Sequence, residues 1–596
     1  MANNASTQSG PLAGPGWISR EFAREALALA QLLWRSPARG ALIAIWAALI
    51  AVVGATAYGQ IELNAWNQPF YDALARRDTN GFTHQLGVFA VIAGALLVLN
   101  VAQTWLNQIS RFELRKRLTR DLFAQWLVPK RAFLLAGAGD IGVNPDQRIH
   151  EDARHLCELT TDLGVGLLQA ALLLASFIGV LWGLSAGVTL HIWGESLVIP
   201  GYMVWSALFY AGAASLASWL VGRPLVGLNA ERYARESDMR FALVHVNEHS
   251  EGVSIYRGEA EEEEKLKLTF DRLLVVLRDL VRATTNLTWV TAGYGWFTIV
   301  APIIVAAPAF FSGDLTLGGL LMSAGAFTQV QQSLRWFVDN AGAIADWRAT
   351  LHRVCAFRLA LLEVDKIGEA TSRIEFAGSA NERLILDELS VSLPAGSIRL
   401  NESHVELARG ARILIVGAAR SGKTCLFRAI AGVWPWGSGR IELPSPAGVM
   451  FMPKRPFIPD GDLRHILAYP GPPDIFLDEQ LLAALARLGL GYLAPDLHRS
   501  ARWDQELAHE EQLGLAFARL LLHKPECVVV DEAIEALSPE RRDLLFDALA
   551  NELPSTSLLA IGGPHAEAQR YNRVLRLVFD PQGPRLARLG ETTEAA

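Results

Sequence analysis

The sequence reads as an α-helical polytopic membrane domain of six spans, followed by an α/β domain built on a phosphate-binding loop. Three observations predict this. Long apolar segments fill the N-terminal half. A mean hydropathy of +0.23, with 19% charged residues over 596 positions, is too apolar for a soluble protein of this size. The run Gly417-Ala-Ala-Arg-Ser-Gly-Lys423-Thr424 lies far downstream of those segments. Its spacing is that of a loop whose backbone N–H groups wrap phosphates.

The apolar segments are 41–58, 87–106, 163–184, 199–221, 289–311 and 315–330. Each is long enough, or nearly so, to cross ~30 Å of hydrocarbon. The sixth is the weakest, because Gln329, Gln331 and Gln332 interrupt it and Arg335 follows. Basic residues set the orientation, since loops rich in Lys and Arg stay in the cytoplasm. Arg20, Arg24, Arg35 and Arg39 precede the first span, and the second connection carries Arg111, Arg115, Lys116, Arg117, Arg120, Lys130 and Arg131. The connections around His191 and Glu195 and at Ser312-Gly-Asp314 hold no Lys or Arg. Arg76 and Arg77 are an exception on the outer side, outvoted by the other loops. Both termini are therefore expected in the cytoplasm. Trp and Tyr gather toward span ends, and all tryptophans except Trp434, Trp436 and Trp503 precede residue 350, as interfacial anchors do. The first 17 residues lack an apolar signal-peptide core and read as a disordered lead-in.

Other classes are excluded by composition. The four cysteines, Cys157, Cys355, Cys425 and Cys527, have no metal-ligand spacing and imply no disulfide. A net charge of −7 and a pI near 6.1 give no electrostatic reason to expect a nucleic-acid partner. The run Glu259-Ala-Glu-Glu-Glu-Glu264, followed by Lys265 and Lys267, reads as a solvated helix face.

The phosphate loop has the flanks it needs. Ile413-Leu-Ile-Val416 reads as a strand entering it and Leu426-Phe-Arg-Ala-Ile430 as a helix leaving it. Gly417, Ser421 and Gly422 are expected to line the phosphates, with Lys423 reaching the β- and γ-phosphates and Thr424 holding Mg²⁺. ATP with Mg²⁺ is the expected ligand.

Several blocks carry a resemblance: Leu63-Asn-Ala-Trp-Asn-Gln-Pro-Phe-Tyr-Asp-Ala-Leu74, Asn144-Pro-Asp-Gln-Arg-Ile-His-Glu-Asp152, Ile199-Pro-Gly-Tyr-Met203, Ile255-Tyr-Arg-Gly258 and Leu315-Thr-Leu-Gly-Gly-Leu-Leu-Met322. The chain resembles the SbmA/BacA-like transporters, and more closely their members with a fused ABC ATPase domain, relatives of the peroxisomal ABC half-transporters. The resemblance runs from about Arg35 to about Leu577. It implies an ABC exporter-type fold of six long helices, a homodimer in the lipid bilayer, and a peptide or peptide-like substrate. It also places Asp146, Gln147, Arg148, Glu151, Asp152, Glu251 and Arg257 in cytoplasmic coupling regions, where the plainer alternative is that they cap and brace helices. The expected domains are a lead-in at 1–34, a transmembrane domain at 35–361, a linker at 362–381, a nucleotide-binding domain at 382–580 and a tail at 581–596.

Within the nucleotide domain the resemblance breaks where chemistry happens. Cys527-Val-Val-Val-Asp531-Glu532 keeps the family's pattern, with Asp531 for Mg²⁺ and Glu532 as the catalytic carboxylate for the attacking water. The family's Leu-Pro-Gln-Arg-Pro is here Met452-Pro-Lys454-Arg-Pro456, and its Ile-Gly-His-Arg switch is Ile561-Gly-Gly563-Pro564, leaving His565 as a late substitute. The signature that closes the partner's γ-phosphate, Leu-Ser-x-Gly, becomes Leu507-Ala508-His509-Glu510. Two like charges at about 4 Å repel by roughly 4 kcal/mol in a partly screened site, so an unpaired Glu510 is expected to hold the dimer open. Ser538 replaces a family Asp, Arg420 replaces an inner glycine, and no aromatic lies between Phe376 and Phe427 to stack on adenine. Lys454 and Arg420 are expected to add phosphate contacts.

The expectation is a bacterial inner-membrane half-transporter that binds MgATP and hydrolyses it weakly or not at all. Its alternatives are one subunit of a heterodimer energised by its partner, or a non-transporting regulatory protein. The driving force stays open, with Glu62, Asp72, Glu236, Asp238 and Glu251 as candidate proton relays outside the apolar middles of the spans.

Overall fold

A computed structural model describes Leu27 and residues 39–136, 144–185, 190–192, 195–197, 199–363, 373–379, 381–445, 448–563 and 566–585. Two compact units divide the chain. One holds residues 1–124 and 144–358, the other 125–143 and 359–596.

The first unit is a bundle of long helices: α1 (Arg39–Ala75), α2 (Thr79–Trp126), α3 (Ala153–Ser185), α4 (Tyr202–Glu248), α5 (Glu259–Phe311) and α6 (Leu317–Asp339). Five stretches, Gly40–Ala75, Thr79–Trp126, Pro145–Ser185, Tyr202–Glu248 and Glu259–Phe311, are long and apolar enough to cross a membrane. At 1.5 Å per residue the 48 residues of α2 reach about 72 Å, more than twice a ~30 Å hydrocarbon core. The expected sixth span, α6, falls outside those five, and its packing explains why. It touches α1, α3, α4 and α5 and buries Gly318, Gly319, Ser323, Gln331 and Ser333. A helix surrounded by protein has no need of an apolar surface all round. In α2, by contrast, no residue of the most apolar window is buried inside the protein, as a lipid-facing helix requires.

Two of the sequence blocks meet at the end of this bundle. Asp72 on α1 accepts from the Gly318 backbone N–H at 3.0 Å and from the Thr316 hydroxyl at 3.1 Å. Thr316 in turn caps α6 by accepting from the Gly319 N–H at 3.1 Å. Gly318 has to be glycine there, because a Cβ would run into the Gln68 carbonyl oxygen. A short antiparallel hairpin, β1 (Leu190–Ile192) with β2 (Glu195–Leu197), fills the connection between α3 and α4.

The second unit is an α/β domain with strands β3 (Glu375–Gly378), β4 (Leu384–Leu393), β5 (Gly396–Leu400), β6 (His404–Leu407), β7 (Arg412–Val416), β8 (Gly437–Leu443), β9 (Val449–Met452), β10 (Gly461–Asp462), β11 (Ser500–Ala501), β12 (Cys527–Asp531), β13 (Ser557–Gly562) and β14 (Arg573–Asp580). The main sheet runs β3-β8-β4-β5-β14-β7-β13-β12-β9, with β6 beside β4. Strands β14, β7, β13, β12 and β9 are mutually parallel neighbours. Every residue of β12 and β13 is buried, which is why these strands read as unbroken apolar runs. Strand β3 lies inside the stretch 362–381 that the sequence suggested as linker, so the sheet begins earlier than polarity indicated. Residues 125–136 belong to this unit too: Lys130 Nζ lies 5.4 Å from the Phe376 ring centroid and the Arg428 guanidinium 5.6 Å from that of Phe133.

Candidate functional site

Strands β7, β13, β12 and β9 are adjacent and parallel, so the loops leaving their C-terminal ends open at one edge of the sheet, where α/β folds bind ligands. Those loops are Gly417–Gly422, Glu532, Gly563 and Pro453-Lys454.

After β7 the chain turns into the helix α7 (Lys423–Ile430), with Gly422 at its N-cap in the left-handed region, φ +89°. A Cβ at Gly417 would stand 2.6 Å from Ser421 Oγ, so a side chain there would displace the serine hydroxyl. Arg420 adopts φ +62°, a conformation strained for a side-chain-bearing residue and consistent with the glycine that the family pattern has there. Lys423 is nearly buried and its Nζ donates to the Gly417 and Ala418 carbonyls at 3.0 and 3.4 Å.

Beyond β12 the backbone bends sharply, with Glu532 at φ +52°. Its carboxylate lies between two ammonium groups: Lys423 Nζ is 2.9 Å from Oε1 and Lys454 Nζ 2.9 Å from Oε2. Burial opposes ionisation of Glu532, but the bonds from Lys423 and Lys454 outweigh it and hold the carboxyl below its ordinary range. Lys454 is correspondingly pushed up, first by its bond to Glu532. Asp531 behaves oppositely. Burial raises its pKa against the lowering effect of a hydrogen bond with Thr424, and its Oδ1 is buried without a hydrogen-bond partner. Ser421 Oγ is likewise buried and unpartnered. An unsatisfied carboxylate oxygen on a residue bonded to a threonine hydroxyl, at the same sheet edge as an unsatisfied serine hydroxyl and a lysine, fits Mg²⁺ with a polyphosphate.

The loop after β13 is held by a residue that sequence reasoning passed over. Glu535 Oε1 accepts from the Gly563 N–H at 2.7 Å, so a carboxylate occupies the surroundings of the missing switch histidine. His565, the suggested substitute, lies outside the described residues. An acid three residues beyond Glu532 was the available signal.

The signature region corrects one expectation. Glu510 is paired. On the first turn of α8 (His509–His523) its Oε1 accepts from the Ser538 N–H at 3.1 Å and lies 3.7 Å from Arg541 Nε. Bonding to Ser538 holds its carboxyl below the ordinary range. Ser538 caps the helix α9 (Pro539–Asn551), so Glu510 ties the starts of α8 and α9 together. Ala508 occupies the N-cap of α8, and its N–H donates to Glu511 Oε2 at 2.8 Å, leaving no side-chain hydroxyl at that position.

The suggested coupling residues lie in the membrane unit. Asp152 is buried and bonded to Arg148 at 2.6 Å and Arg353 at 3.0 Å. Glu151 bonds Arg154 at 2.6 Å. Asp146 and Gln147 sit in the single turn Pro145–Gln147, Glu251 in the first turn of Ser250–Tyr256, and Arg257 ends that helix at φ +54°. Bracing is what the side chains of Arg148, Glu151 and Asp152 do.

Residues 33–311 match the family described as ABC transporter transmembrane region 2, and residues 400–535 match the family described as ABC transporter. The chain is an ABC half-transporter. The half-transporter is 28% identical to the inner membrane ABC transporter ATP-binding protein YddA of Escherichia coli, over 84% of its own length and 88% of that protein. It is 25% identical to the chloroplastic ABC transporter D family member 2 of Arabidopsis thaliana, covering 96% and 86%, and 26% identical to the human lysosomal cobalamin transporter ABCD4, covering 85% and 87%. Its fold is that of a bacterial Atm1-family ABC exporter solved with ATP bound, with a TM-score of 0.66 at 16% identity, covering 92% and 94% of the two chains. The transporter's nucleotide unit thus belongs to a domain class that binds ATP.

Proposed function

We propose that this half-transporter works as a homodimer in a bacterial inner membrane, moves peptides or peptide-like polar compounds, and binds MgATP while hydrolysing it weakly or not at all. The carrying observation is the double ion pair on Glu532. A carboxylate that accepts from two ammonium groups is a poor base for a water proton, since its basicity is what those bonds consume. Glu535 at the switch and Ala508 in place of a hydroxyl add to the reading, because they take away donors aimed at developing phosphate charge. When bound, Mg²⁺ supplies Lewis-acid charge at the phosphates; Asp531 and Thr424 are the residues placed to hold it, and Ser421 and Lys423 to hold the phosphates. The inner-membrane assignment follows the name of the Escherichia coli relative, an inner membrane ABC transporter ATP-binding protein. The cargo class rests on the blocks shared with the SbmA/BacA-like transporters.

Uptake of labelled peptides into proteoliposomes, with ATP and a proton gradient applied separately, tests the reading. Flux driven by the gradient and unchanged in Glu532→Gln supports it. Flux that needs ATP and is lost in Glu532→Gln overturns the energetic part, and no flux of any peptide overturns the cargo.

A further inference from the structure

We infer that Lys454 selects triphosphate over diphosphate, by leaving Glu532 for the terminal phosphate of a bound nucleotide. The inference rests on the reading of this loop as a MgATP site. Its basis is that one carboxylate holds both ammonium groups, Lys423 on Oε1 and Lys454 on Oε2 at 2.9 Å each. The two cations are therefore a single carboxylate apart, and an anion engaged by Lys423 comes within reach of Lys454.

The two lysines differ in freedom. Lys423 is 9% exposed and also bonded to two carbonyls of its own loop. Lys454 is 61% exposed and Glu532 is its one bonded partner among the described residues. A lysine head on a flexible four-carbon stem is able to exchange partners, and phosphate is a competitive one. Asp531 and Glu535 lie close enough to add to the field that keeps the ammonium at this spot, so Lys454 stays in the site whichever anion it bonds. With a triphosphate, the terminal group supplies the replacement anion. With a diphosphate, no such group extends past Lys423, and Lys454 remains on Glu532. Its bond energy to the γ-phosphate is thus gained by one nucleotide and withheld from the other.

The test is equilibrium binding of Mg²⁺ with a non-hydrolysable ATP analogue, and of Mg²⁺ with ADP, to the purified full-length protein in detergent. The wild type is expected to favour the triphosphate by about tenfold. Lys454→Met abolishes the preference by weakening the triphosphate alone, and Lys454→Arg keeps it. A preference that survives Lys454→Met, or equal weakening of both nucleotides, overturns the role of Lys454. Binding of neither nucleotide by the wild type overturns the MgATP reading itself.

Discussion

Lys454 reaches the Glu532 carboxylate at 2.9 Å across 78 residues of sequence. The contact forms because β9 and β12 are parallel neighbours whose C-terminal loops leave the sheet side by side. It converts a substitution that looks like simple loss of a sensing glutamine into a counter-charge on the residue meant to activate water. Four consequences can be measured.

Glu532→Gln is expected to raise nucleotide affinity. The carboxylate competes with phosphate for Lys423 and Lys454, and the neutral amide does not. Affinity for a non-hydrolysable ATP analogue should rise by about tenfold, read by titration calorimetry. Unchanged or weaker binding shows that the carboxylate does not compete.

Restoring the switch histidine alone should do nothing for hydrolysis. In Gly563→His the new Cβ stands 3.2 Å from Glu535 Oε2, and the Glu535 carboxylate that accepts from the backbone N–H at this position is still there. Phosphate release should stay at background in the single variant and become measurable only when Glu535→Ser, Lys454→Gln, Ala508→Ser and Glu510→Gly accompany it, because such groups act as a unit. Activity from Gly563→His alone contradicts this.

Glu510→Gly is expected to loosen the junction of α8 and α9. A hydrogen bond to a charged acceptor is worth roughly 1.5–3 kcal/mol. Because Glu510 is partly exposed, about 1 kcal/mol is the reasonable scale after solvent screening. The pH dependence has a definite sign. The folded pKa lies below the ordinary value of 4.5, so the contribution is complete above that value and disappears as pH falls through the depressed folded one. Urea denaturation of wild type and variant should differ most at pH 7 and less in acid, where only the pH-independent cost of glycine in a helix persists; a difference that grows in acid refutes the pairing.

Asp531→Asn should stabilise the protein without Mg²⁺ and remove the effect of Mg²⁺. Burial raises the Asp531 pKa above 3.8, so the ionised group opposes folding at neutral pH and that opposition fades as pH falls. Thermal melting should show a higher midpoint for the variant without metal, and no further rise with MgATP. Proton competition at the raised pKa also weakens MgATP binding to the wild type at a higher pH than an exposed aspartate allows.

Much of this was legible beforehand for reasons of period and solvent. Lipid leaves a compositional trace, so α1 to α5 stand out, whereas α6 is the weakest of the six in the sequence because it buries polar residues such as Gln331. The phosphate loop and the buried strand ending in Asp531 are local patterns, and each lies where its sequence indicates. Pairing is not local. Glu510 looked unpaired because Ser538 and Arg541 follow about thirty residues later and meet it only through the packing of α8 against α9. The early strand β3 escaped notice because its residues are mostly exposed, which removes the alternation that marks a strand.

The most direct measurement is MgATP hydrolysis by the purified wild-type protein in lipid, beside Lys423→Ala. Glu532 held by Lys423 and Lys454, with Glu535 at the switch and no hydroxyl at Ala508, predicts phosphate release near background and little change in the variant. Robust hydrolysis that Lys423→Ala abolishes would contradict the account.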